Sequence, residues 1–141
     1  MVADTIERDI TIAAPIEKVW SALTEDKHVK EWFGQEAEID LRPGGAIVFG
    51  WTEYGRFRGK VEAVEPPHRF AYWWARPEDT DPTSGNQTRV EFILSEEGGG
   101  TRLRVVESGF TTLERDQELS LKQNTEGWRI ELDELRAYVE A

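Results

Sequence analysis

The chain has 141 residues, with 17 Lys and Arg against 28 Asp and Glu, and a net charge of −11. Its length suits one domain, expected to span 1–141, and its acidic balance repels phosphate backbones and anionic membrane surfaces, so nucleic acid is excluded as a partner. The absence of Cys removes disulfides and thiolate chemistry, and no apolar run reaches the roughly 18 residues of a membrane span or forms a signal core, so a cytoplasmic protein is expected.

A first strand is expected over Ile6–Ile12, with Ile6, Arg8, Ile10 and Ile12 on one face. Pro15 suits a first helical turn, and Ile16, Val19, Trp20 and Leu23 follow at amphipathic helical spacing. Asp26 is positioned to cap a second short helix carrying Val29, Trp32 and Phe33, which Gly34 ends. Strands resume at Ala37–Leu41, and Pro43-Gly44-Gly45 turns the chain. Ile47, Phe49 and Trp51 alternate in the next strand. Phe57, Gly59, Val61 and Ala63 then share a face opposite Arg56, Arg58, Lys60 and Glu62. After Pro66-Pro67 come Phe70, Tyr72 and Trp74, then Val90, Phe92 and Leu94. Gly98-Gly99-Gly100 leads into Thr101, Leu103, Val105 and Glu107. Short turns argue for antiparallel pairing, and one-sided alternation for a sheet with one wet face. The acidic stretch Ala75–Asn86, with Pro77, Pro82 and Gly85, is long for a hairpin connection; it reads either as a mobile surface loop or as a lid. From Leu119 to Val139, Leu121, Trp128, Leu132, Leu135 and Val139 recur at helical spacing. Such a helix buries its stripe only by lying on the sheet.

The order of one strand, two short helices, six strands and a long last helix resembles the START-like helix-grip fold. More narrowly, the chain resembles the family of activators of the 90-kDa heat-shock protein ATPase, in its bacterial single-domain form. The resemblance is carried by Ala14-Pro15-Ile16-Glu17-Lys18-Val19-Trp20 with Leu23-Thr24, by Trp32-Phe33, and by Asp40-Leu41-Arg42-Pro43-Gly44-Gly45. It continues through Gly59-x-Val61, Gly100-Thr101-x-Leu103, Glu107-Ser108-Gly109-Phe110 and Gly127-Trp128 with Leu132 and Leu135. It implies an α+β fold, a curved antiparallel sheet of six or seven strands gripping a C-terminal helix with an apolar pocket between. Eukaryotic activators carry a further N-terminal domain that contributes to chaperone binding. With a first strand starting near Ile6, this chain is expected to lack it.

The candidate ligand-binding residues are Trp32, Phe33, Phe49, Trp51, Phe57, Tyr72, Trp74, Phe92, Phe110, Leu121, Asn124, Trp128 and Leu132, with Glu107. The aromatic set is large for one sheet face, and either packs as core or walls a cavity. Trp128 either stacks on a ligand or locks helix to sheet. Its neighbour Gly127 costs about 1 kcal/mol relative to Ala in a helix interior, which points to close approach of a strand or loop. Asn124, one turn earlier, either orients a ligand or meets solvent or a backbone carbonyl.

Glu107 shares the inward parity of Leu103 and Val105. Desolvation there would raise its pKa and suit it to acid/base work; alternatively it reaches water at the strand end or pairs with Arg8. His28 and His68 lie on separate elements with no metal-ligand spacing. Glu126, Arg129, Glu131, Asp133, Glu134 and Arg136 read as a solvated helix face with opposite charges at close helical spacing.

Three functions follow. The first is non-catalytic binding of a hydrophobic or amphipathic small molecule, with no cofactor. The resemblance implies the second, a cochaperone-like partner of a heat-shock ATPase. The third is a cyclase/aromatase-like enzyme, for which Glu107 is the one weak catalytic candidate. A monomer is expected, or a weak dimer through an edge strand.

Overall fold

In a computed structural model, residues 2–141 are described. β1 (Thr5–Ile12) leads into α1 (Ile16–Thr24) and α2 (Asp26–Trp32). Six strands follow: β2 (Glu36–Ile39), β3 (Ala46–Trp51), β4 (Gly55–Glu65), β5 (Arg69–Ala75), β6 (Gln87–Glu97) and β7 (Gly100–Ser108). A helical turn at Phe110–Thr112 then precedes α3 (Gln117–Glu140). The strands form one antiparallel sheet of order β1-β7-β6-β5-β4-β3-β2. The two-helix insertion after β1 explains that order: β1 pairs only with β7, while β2 returns at the opposite edge.

The inner face of the sheet supplies Ile12, Ile47, Phe70, Tyr72, Val90, Leu94 and Leu103, all nearly fully buried. Against it pack Val19 and Leu23 of α1 and Leu132, Leu135 and Val139 of α3. Burial of each such side chain stabilises by roughly 1.5–3 kcal/mol before cavity effects. The C-terminal end of α3 is tied down where the Ala13 N–H donates to the Glu140 carboxylate (2.8 Å).

Three local expectations are corrected. Asp26 is the first residue of α2, not its cap, and its carboxylate instead accepts from the Ile39 N–H (2.9 Å), fastening β2 to α2. β2 stops at Ile39, and Leu41 lies outside it and exposed. In β4 the register shifts between Val61 and Ala63, so Val61 pairs with Tyr72 but Ala63 with Ala71 and Val64 with Phe70. One extra residue reverses the alternation, placing Val64 rather than Ala63 against the core.

On the outer face, charges pair across strands. Arg89 holds Glu62 with two hydrogen bonds (2.8 and 2.7 Å), and Arg69 bonds Glu65 (2.7 Å) and Glu91. The long connection after β5 is fastened rather than free. Arg58 pairs with Asp79 (3.0 Å) and Asp81 (3.4 Å), and the Glu114 N–H donates to the Gly85 carbonyl (2.9 Å).

Candidate functional site: an aromatic cleft under the last helix

Between the N-terminal half of α3 and the ends of β3 and β5 lies a cavity of about 520 Å³. Its walls are Phe33 from the turn after α2, Trp51, Phe57 and Trp74 from the sheet, and Trp128 from α3. Strand alternation brings the sheet rings to one face, and the helix lowers Trp128 between them. Phe33 is the hub: its ring centroid lies 5.0 Å from those of Phe49 and Trp51, and 5.9 Å from Trp128, on which it stacks. Gly59 is required here, because a Cβ at that position would lie 2.4 Å from the Trp73 carbonyl.

Six of the predicted residues line the cavity: Phe33, Trp51, Phe57, Trp74, Asn124 and Trp128. The others are placed elsewhere. Phe49, Tyr72, Phe92 and Leu132 are buried core behind the lining. Trp32 donates its indole N–H to the Ala22 carbonyl (2.7 Å) and ties α2 to α1. Phe110 is fully buried in the turn before α3, and Leu121 packs partly buried on the core.

Glu107 does face inward, but it is sealed behind the cleft, with 0% exposure. Its carboxylate accepts from the indoles of Trp74 (2.8 Å) and Trp128 (2.8 Å) and from the Thr88 hydroxyl (2.6 Å). The Asn124 amide donates to both oxygens (3.0 Å each). It does not reach solvent at the strand end, and Arg8 donates to the Glu7 carbonyl instead. This donor set solvates a carboxylate and leaves no lone pair directed at a substrate in the cleft. Glu107 therefore fixes the two indoles that form the cavity wall. Asn124 is half-buried, and its side chain bonds other side chains rather than backbone: its carbonyl accepts from the Arg76 guanidinium (2.6 Å).

The expected close approach to Gly127 is absent. It lines the cavity, and a Cβ there would meet nothing within 4 Å. The helix carries open space where a side chain would stand.

The cleft also contains residues outside the expected set: Tyr54, Leu119 and Ile130 at its mouth, and Arg76 and Glu131. The first three are exposed large hydrophobics lying off the core stripe, so their signal is apolar residues where periodicity predicts polar ones. Arg76 sits in an irregular loop and gave no signal. Glu131 and Arg136 depart from the expected solvated face. Both are partly buried, each with one buried polar atom, Glu131 Oε2 and Arg136 Nε, that has no hydrogen-bond partner. Burial, with Glu134 adding, pushes the Glu131 carboxyl up to about 8. Among the described residues no group of His, Asp and Glu is arranged to hold a metal ion, and no helix is long and apolar enough to cross a membrane.

Sheet, gripping helices and aromatic cleft together define a helix-grip domain of the START-like class. The profile of the family described as activator of Hsp90 ATPase homolog 1-like protein matches residues 13–140, and the chain belongs to that family. Among solved structures, the chain is similar to protein MLL2253 of Mesorhizobium loti, at 25% identity and a TM-score of 0.83 over 96% of each chain. CalU16 of Micromonospora echinospora is 30% identical, with a TM-score of 0.76 over 96% of this chain and 75% of that one. The Aha1 of Colwellia psychrerythraea, solved as a dimer, shares the fold at 23% identity and a TM-score of 0.79, over 98% of this chain and 97% of that one. Comparison with curated protein sequences yields no match.

Proposed function

We propose that this protein binds an apolar or amphipathic small molecule in the cleft between α3 and the sheet, without transforming it. One observation carries the reading: an aromatic-walled cavity of about 520 Å³ into which Gly127 presents no side chain. That volume suits a drug-sized ligand, for which pockets run roughly 300–1,000 Å³. The indoles of Trp74 and Trp128 are held in place by Glu107, so the wall is formed before any ligand arrives. The test is native mass spectrometry of the purified protein beside titration with a neutral apolar fluorophore, phenylnaphthylamine. Binding is expected in the parent chain and lost in Gly127→Leu, which fills the cavity from a position where a side chain meets nothing. A parent protein that neither carries a bound mass nor lights the fluorophore ends the proposal.

The family's description supports a second reading, contact with a heat-shock ATPase of the 90-kDa type. Exposed Tyr54, Leu119 and Ile130 would supply apolar contact area. Unchanged ATPase turnover at saturating protein would remove it.

A further inference from the structure

We propose that the molecule held in the cleft is an acid: an aromatic or polycyclic skeleton bearing a carboxylate or an equivalent anion, which Arg76 receives. This rests on the small-molecule reading above. Arg76 lines the cavity and is largely withdrawn from solvent. It donates to two neutral amide oxygens, Asn124 (2.6 Å) and Gln123 (3.3 Å), and among the described residues it makes no ion pair. A guanidinium offers five N–H donors, so several remain for a ligand. Burial lowers the Arg76 guanidinium from its ordinary value, with the Glu107 and Asp116 charges opposing the shift, and an arginine remains charged at neutral pH. Glu107, however, is sealed away and its oxygens are already filled. A guest in the cleft can therefore hydrogen-bond Arg76 directly, while Glu107 and Asp116 lie outside the lining.

The other charged groups of the lining support the same sign. Lys122 makes no ion pair among the described residues. Glu126 is neutralised by two hydrogen bonds from Arg129 (3.1 and 2.5 Å). Glu131 keeps its proton at neutral pH, since burial pushes it up to about 8. The lining thus carries two cations without an ion-pair partner among the described residues, Arg76 and Lys122, inside a chain of net charge −11. Long-range attraction cannot produce a preference for anions on such a protein; only a local cation can. Arg76 and Asn124 meet in the cleft wall, and Glu131 lies seven residues further along α3, roughly 10 Å at 1.5 Å per residue. The rings of Phe33, Trp74 and Trp128 line the same cleft, which suits a fused-ring skeleton with its acid on Arg76.

Two fluorophores with the same rings separate the possibilities: anilinonaphthalene sulfonate carries an anion and phenylnaphthylamine carries none. The sulfonate is expected to bind about tenfold tighter or better at neutral pH. Arg76→Gln should erase that preference while leaving the neutral probe within about twofold, and Arg76→Lys should keep part of it. Equal affinity for the two probes overturns the inference and leaves the apolar-cleft reading standing. A sulfonate preference that survives in Arg76→Gln also overturns it. If neither probe binds the parent chain, the cleft reading falls and this inference falls with it. Circular dichroism of each variant establishes that the fold is retained, and Lys18→Gln, exposed on α1 and outside the cleft lining, should leave the preference intact.

Discussion

A carboxylate without solvent is tolerated only when its lone pairs are filled, and Glu107 meets that condition with two indoles, a hydroxyl and an amide. Replacing one oxygen by an amide nitrogen sets donor against donor. Glu107→Gln is expected to lower unfolding free energy by about 2–4 kcal/mol in a denaturant titration, and to change the emission of Trp74 and Trp128. Glu131 is the opposite case, a partly buried carboxyl with an unpartnered oxygen. Its folded value of about 8 stands above the ordinary 4.5. The folded state therefore binds a proton that the unfolded chain has released across that window, and stability falls as pH rises from 4.5 to about 8. Glu131→Gln should flatten this slope, so its advantage over the parent grows across the window and then levels off. Denaturation midpoints measured below and above the window check it; parallel curves would refute the assignment.

At the scale of elements, α3 performs two tasks along one length. Trp128, Leu132, Leu135 and Val139 form one stripe buried in the core, and in the N-terminal half Trp128 and Gly127 also line the cleft. Because nothing lies within 4 Å of a Cβ at Gly127, Gly127→Ala should stabilise by about 0.5–1 kcal/mol through helix propensity alone. A loss of stability would mean that the cleft is closed in solution. The outer faces of β4, β5 and β6 make the second such case. The hydrogen bonds from Arg89 hold the Glu62 carboxyl below its ordinary value of 4.5. Burial opposes the same shift at Glu91, yet Arg69 and Arg89 together still lower it. Carboxylates with depressed values contribute stability above the unfolded value, lost as pH falls below it. Arg89→Met should therefore cost about 1 kcal/mol at neutral pH, an exposed-pair magnitude, and the deficit should shrink on acidification below that value.

For the whole molecule, occupancy of the cleft must appear as stability. A ligand at a hundred times its Kd adds about 2.7 kcal/mol, read as a rise in Tm that Gly127→Leu should not show. Much of the architecture was legible in sequence because it rests on local rules. Period-two alternation from Ile47 to Glu107 and the helical stripe from Leu121 to Val139 depend only on backbone geometry and on which residues avoid water. The inward side of Glu107 followed from the same parity. Its partners did not: Trp74, Thr88, Asn124 and Trp128 come from β5, β6 and α3, and no pattern along the chain shows that they converge. The reversal at Val64 came from one inserted residue, invisible until strands pair. Which rings wall a cavity and which merely fill the core was likewise undecided, since Phe49 and Trp51 share one strand and one face. The chain alone thus determined the sheet, the gripping helix and their apolar faces, because these follow from the periodicity of burial. Only the tertiary structure decided that the helix leaves a hollow at Gly127, that Arg76 reaches into it and that Glu107 is sealed behind it, because those depend on the distance between elements far apart in sequence.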